Sequence, residues 1–234
     1  MKSKSQTGFT LIEMALALLI MGLVVGGGLN LMSSQMESQK LKETQAILEE
    51  AKNALIGFAV VNGRFPRPAV SGVDGTEQAT CADEAACTGL IPWVVLGTTK
   101  LDSWGKMLRY SVTPAFANAN FKLTTPSTKI VQTRDNLGAV QTLANLVPAV
   151  IYSHGKSNFG TTDAGTAIPN LSLTNLDEIT NDSGGIGAVA GTTFMQRTPS
   201  ENTAAAFGGE FDDIVIWLSP NILFNRMVQA GRLP

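Results

Sequence analysis

The sequence predicts an α+β protein: a long N-terminal helix, apolar in its first half and amphipathic in its second, packed on the small antiparallel β-sheet of a C-terminal head. Three observations predict it. Residues 9–32 form a 24-residue run whose only ionisable side chain is Glu13. Beyond it, Leu41, Thr44, Leu48, Ala51, Leu55 and Phe58 recur at three- and four-residue spacing, with Lys42, Glu43, Glu49, Glu50, Lys52 and Asn53 between them, the pattern of a helix with one buried face. After Asn62-Gly63 and Pro66-Arg67-Pro68, short apolar runs are bounded by Gly, Pro, Asn or Ser, as strands are. At 234 residues the chain holds one compact domain and a further segment. Hydrophobic residues make up 44% and charged residues 15%, and much of that bias sits at the N-terminus. A formal net charge of −2 argues against a partner bound by neutralising phosphates, so no nucleic acid is expected.

The elements follow in order. Residues 1–8 read MKSKSQTG, two lysines and no acid. About 20 apolar residues suffice to cross a bilayer core as a helix, so 9–32 is read as a transmembrane helix. Lys2 and Lys4 ahead of it favour an N-terminus inside and the bulk of the chain outside. The apolar region of a secretory signal is only about 7–15 residues, shorter than this run. A plain anchor explains the length but not Glu13, because a carboxylate near the membrane costs about 2.5–3.5 kcal/mol. No proline occurs before Pro66, so helix is predicted from Phe9 to about Val61, a rod of roughly 80 Å. Its amphipathic part is 33–62, outside the membrane. Gly26, Gly27 and Gly28 weaken it by about 1 kcal/mol each, and Gly22 and Gly26, four apart, permit close helix packing.

The head occupies 63–234. Its strand candidates are 108–113, 121–125, 149–153 and 213–218, followed by a short helix over 221–233 with Ile222, Leu223, Met227 and Val228 facing inward. Trp93, Trp104 and Trp217 read as core or half-buried. The polar tract 161–210, rich in Gly, Ser, Thr and Asn, reads as loops elaborating the head.

Chemistry is sparse. Cys81 and Cys87 are the only cysteines, and with His154 the only histidine they cannot complete a four-ligand zinc site. Outside the cytoplasm a disulfide is expected, closing a small loop for about 2 kcal/mol. His154-Gly155-Lys156-Ser157 follows an apolar strand, but a phosphate loop needs glycine where this chain has Val150. No serine lies in a Gly-x-Ser-x-Gly setting, so no catalytic residue and no cofactor is expected. His154 reads as a surface or hydrogen-bonding residue. Asp177, Glu178 and Asp182, with Glu210, Asp212 and Asp213, match no defined calcium loop and read as solvated turn residues. Arg64-Phe65-Pro66-Arg67 reads as a helix exit.

Gly8-Phe9-Thr10-Leu11-Ile12-Glu13 resembles the processing motif of type IV prepilins and type II secretion pseudopilins. The resemblance implies that a prepilin peptidase cuts between Gly8 and Phe9, that the new Phe9 amine is N-methylated, and that Glu13 pairs with the Phe9 amine of a neighbouring subunit. A membrane carboxylate is tolerable once it has such a cationic partner. Asp102-Ser103-Trp104-Gly105, followed by Leu108-Arg109-Tyr110, is similar to the Asp-x-Trp-Gly segment that leads into a sheet strand of many pseudopilins. Residues 51–66 also look like members of this group. The implied fold is a pilin-like ladle. The implied partners are the peptidase, other pilin or pseudopilin subunits, an inner-membrane assembly platform and membrane lipid. The implied location is the bacterial inner membrane, N-terminus cytoplasmic and head periplasmic, and then a filament. Many type IV pilins carry a helix proline where this chain has Gly26-Gly27-Gly28. That departure, the large head and the long tract suggest a minor subunit. Type II secretion and type IV pilus remain open, as does a tip adhesin or DNA-uptake module, and some major pseudopilins hold calcium in a head loop.

Overall fold

The computed structural model describes residues 8–182 and 191–233, and over 23–33 the backbone alone. Positions 1–7 of the leader and 183–190 of the polar tract lie outside the described residues. Helix α1 runs Leu11–Asn62, close to the predicted span, and it continues through Gly26, Gly27 and Gly28. It stops at Gly63, whose backbone turns left-handed (φ 74°) while its N–H donates to the Ala59 carbonyl at 2.8 Å. Pro66 and Pro68 then forbid its resumption.

By contacts the chain divides into two units, Met1–Lys42 and Glu43–Pro234. In the first, the described side chains from Phe9 to Gly22 are exposed, Phe9 to 83% and Leu11 to 92%. Among the described residues no helix is long and apolar enough to cross a membrane. The predicted span 9–32 runs beyond Gly22 into positions whose side chains lie outside the description.

In the second unit α1 buries Thr44, Leu48, Ala51, Leu55 and Ala59, one stripe at helical spacing. Strand β1 is Thr88–Leu90, followed by a single helical turn α2, Trp93–Leu96. Strand β2 is Arg109–Val112 and the turn α3 is Pro114–Ala117. Then come β3 (Lys129–Arg134), β4 (Val140–Val147) and β5 (Ala149–Ser153). Helix α4 is Leu176–Asn181, β6 is Thr193–Met195, β7 is Ile214–Trp217 and α5 is Pro220–Gln229. One sheet has the order β1-β2-β5-β7, antiparallel throughout. The other has the order β4-β3-β6, a β3–β4 hairpin with β6 added parallel. Val131, Val147, Val150, Tyr152, Phe194 and Val215 form a buried cluster drawn from both sheets. The fold is α+β.

Three expectations change. Residues 121–125 are not a strand: Phe121 is buried against Phe65 and Phe116, and the chain turns at once, Thr125 N–H donating to the Lys122 carbonyl. The tract 161–210 is not loop alone, since it supplies α4 and β6. In α5 only Leu223 and Met227 are buried; four apart, they share the face turned to the core, and Ile222 and Val228 flank it exposed. The three tryptophans are half-buried. Cys81 and Cys87 are joined by a disulfide with Cα atoms 5.0 Å apart, both buried, and Asn118 Nδ2 donates to the Cys81 carbonyl at 2.6 Å.

Candidate functional site

Gly8, Phe9 and Thr10 precede α1 as exposed, non-helical chain. The first helical hydrogen bond is Met14 N–H to the Thr10 carbonyl at 3.2 Å, which makes Thr10 the N-cap. Its hydroxyl accepts the Glu13 N–H at 3.4 Å, and Glu13 Oε2 accepts both the Thr10 N–H and the Thr10 hydroxyl at 2.9 Å. This is a reciprocal capping box, and it puts a carboxylate in the first turn, where the helix dipole favours it. Sequence reading overlooked it, although Thr-x-x-Glu ahead of an apolar run is its signal. Among the described residues, a side chain built on Gly8 would meet nothing within 4 Å, and its φ is not left-handed. The described residues therefore make no demand for glycine there.

In the head, Asp102 explains the Asp-x-Trp-Gly segment. Its Oδ1 accepts the N–H groups of Trp104 and Lys106, each at 2.9 Å, and its Oδ2 accepts the Ser153 hydroxyl at 2.6 Å. One buried carboxylate thus closes the turn before β2 and ties it to the end of β5. Ser153 Oγ in turn accepts the Gly155 N–H at 3.0 Å. Gly155 has φ 54°, and a Cβ there would lie 2.3 Å from the Asp212 carbonyl oxygen. Gly155→Ala is expected to destabilise the head by about 2 kcal/mol or more, from the left-handed backbone and the overlap together, read as a lowered denaturation midpoint of the full chain in detergent.

The Asp212–Asp213 corner gathers Lys106, His154 and Glu178. Lys106 Nζ donates to the carbonyls of His154, Ser157 and Asn158 at 3.1, 2.6 and 2.7 Å, and burial lowers its pKa. His154 Nδ1 lies 3.3 Å from Asp213 Oδ1 and Nε2 lies 3.7 Å from Asp182 Oδ1. Burial first, then the charge of Arg109, push its pKa down to about 3, so the ring is neutral at pH 7. Glu178 accepts from the Asp212 N–H at 2.8 Å and from Asn175 Nδ2 at 2.7 Å. Asp213 accepts from Asn181 Nδ2 at 2.8 Å, and Asp212 accepts from the Ser157 N–H at 2.8 Å.

One carboxylate oxygen each of Glu178, Asp212 and Asp213 lies within 4.8 Å of the others. Burial, and then the charge of Asp213, raise the Glu178 pKa to about 7. Burial also raises Asp212 and Asp213. The expectation of solvated turn residues is corrected here. Asp177, Glu178 and Asp213 are at most 3% exposed: the Arg134 and Arg197 guanidinium groups hold Asp177, and amide donors take the place of water at Glu178 and Asp213. Three carboxylates so close share protons, and the cluster acts as a staple between α4 and β7. His154 is likewise buried, not on the surface. Arg64 and Arg67 both serve the helix exit: Arg64 is held bidentately by Glu77 at 2.6 and 2.8 Å, and the Arg67 N–H donates to the same carboxylate at 3.0 Å.

Residues 3–29 match the family model for the prokaryotic N-terminal methylation motif, the signature of type IV pilins and pseudopilins. No curated protein and no solved structure gives a match. The matched segment covers Gly8, Phe9, the capping pair Thr10 and Glu13, and the start of α1.

Proposed function

We propose that this chain, which carries the type IV pilin and pseudopilin signature, is a structural subunit cut between Gly8 and Phe9 by a prepilin peptidase, N-methylated at Phe9 and assembled into a filament through α1. One observation carries the reading: the methylation motif at 3–29 coincides with an exposed, non-helical Gly8-Phe9-Thr10 set directly ahead of a helix. From Leu11 to Gly22 that helix presents side chains that, Glu13 apart, are apolar and exposed. A surface of that kind needs lipid, or like helices, against it. It passes from the first to the second when subunits leave the inner membrane for a filament. Gly8, which nothing among the described residues requires, is then glycine for the enzyme that binds it. On this reading the N-terminus faces the cytoplasm and the head the periplasm, where the Cys81–Cys87 disulfide is stable. An inner-membrane assembly platform completes the set of partners. The large head, with α4 and β6 built from the polar tract, favours a minor subunit of a type II secretion pseudopilus or a type IV pilus.

Mass spectrometry of the mature N-terminus, with and without the prepilin peptidase, tests this. The expected product begins with methylated Phe9 only when the peptidase is present. A chain beginning at Met1 in both samples would overturn the reading.

A further inference from the structure

We propose that Thr10 positions the Gly8–Phe9 peptide for cleavage by fixing where α1 begins. This rests on the processing reading above. The first N–H groups of any helix lack an acceptor within it, and two routes can satisfy them here. One is the box that the structure shows, in which the Thr10 hydroxyl takes the Glu13 N–H and Glu13 Oε2 takes the Thr10 N–H. The other is upstream extension, in which carbonyls before Thr10 become the acceptors and the scissile peptide is drawn into a helical turn.

A peptide inside a turn has its carbonyl engaged and its backbone coiled. It cannot be presented to a protease in extended form. The box removes the reason to extend, because an N-cap residue holds non-helical backbone while its own carbonyl already accepts the first helical bond, here from Met14 N–H. Gly8 opposes extension from the other side, since glycine is a poor helix former and no described residue packs against it. Phe9, 83% exposed, stands between the two devices. Thr10 is therefore a positioning residue that acts through the backbone of its neighbours.

The test uses the full chain in detergent with purified prepilin peptidase, following leader release by mass spectrometry. Thr10→Ser keeps a capping hydroxyl, and Glu13→Gln keeps the return hydrogen bond; both are expected to be cut as the parent is. Thr10→Val, of the same shape without the hydroxyl, and Thr10→Ala are expected to lose up to about fivefold in kcat/KM, the equivalent of one lost N-cap. The loss should fall in KM with kcat unchanged, because extension only lowers the fraction of chain able to bind. Hydrogen exchange supplies the independent readout: the Ile12 amide, which donates to the Gly8 carbonyl once the helix extends, should gain protection in Thr10→Val and Thr10→Ala but not in Thr10→Ser. Equal cleavage of all four variants, or an Ile12 amide no better protected in Thr10→Val than in the parent, would overturn the proposal. A parent chain left uncut between Gly8 and Phe9 would instead remove the processing reading beneath it.

Discussion

Replacing Glu13 by glutamine is expected to separate processing from assembly: the variant is released from its leader at the parent rate, but reaches sheared filaments at no more than about a hundredth of the parent level. Glutamine retains the carbonyl oxygen that accepts the Thr10 N–H, at 2.9 Å in the parent, and capping boxes accept Glu or Gln equally at this position. The start of α1 is therefore preserved. What disappears is the charge. A carboxylate among apolar side chains such as Leu11, Ile12 and Leu16, all exposed here, costs about 2.5–3.5 kcal/mol in a membrane, and a cation brought close to it offsets that cost. On the proposed assembly, a neutral amide in place of the carboxylate leaves the neighbouring Phe9 amine unpaired in the helix bundle, and breaking one side of a desolvated pair costs about 3–5 kcal/mol. That is a factor of about a hundred or more in subunit association. The measurement compares the processed membrane pool with the filament fraction on one gel. Normal incorporation of the glutamine variant would rule out a charge role for Glu13 and leave it the capping role alone.

Much of this was legible in the sequence where the signal is local. The end of α1 follows from Asn62-Gly63 and two prolines, and its start at Leu11 lies just past the predicted Phe9 because Thr10 caps it. Strands β5 and β7 are largely apolar runs with clear boundaries, and β2 lies within the predicted 108–113. Strand β3 is not: it begins with Lys129, which reads as solvent-facing yet is fully buried in an ion pair with Glu84, 45 positions earlier. Strand β6 is three residues in a polar tract, and only its parallel pairing with β3 makes it a strand. The acidic cluster fails for the same reason. Glu178 and Asp212 are 34 positions apart, and composition alone assigns both to water. Their burial is set by Asn175, Asn181 and Ser157 supplying donors, and no local pattern announces that. Non-local burial of charge is the information that periodicity lacks.

That cluster makes the head's stability depend on pH with two opposed limbs. His154 has its folded pKa lowered to about 3 from 6.5. Between those values the unfolded chain holds a proton that the folded one does not, so stability rises with pH across that window. Glu178 has its folded pKa raised to about 7 from 4.5. Over 4.5 to 7 the folded chain holds the extra proton, so stability falls as pH rises, and the raised Asp212 and Asp213 act in the same direction. From about pH 4.5 to 6.5 the contributions of His154 and Glu178 oppose each other. Below about pH 3.8, the ordinary aspartate value, the His154 limb is uncompensated, and above 6.5 the carboxylate limb is. The parent chain should therefore be most stable on the acid side of neutrality, with a denaturation midpoint that drops as the pH passes about 7. Glu178→Gln isolates one limb. It keeps an acceptor for the Asp212 N–H while removing the titration, so its stability relative to the parent should improve by up to about 1.4 kcal/mol per pH unit as the pH rises from 4.5 to 7. His154→Gln should show the converse, gaining on the parent as the pH falls from 6.5 towards 3. A Glu178→Gln difference that stays constant across pH would mean that the three carboxylates hold no proton above the ordinary range, and that Lys106 and the amide donors alone balance their charge.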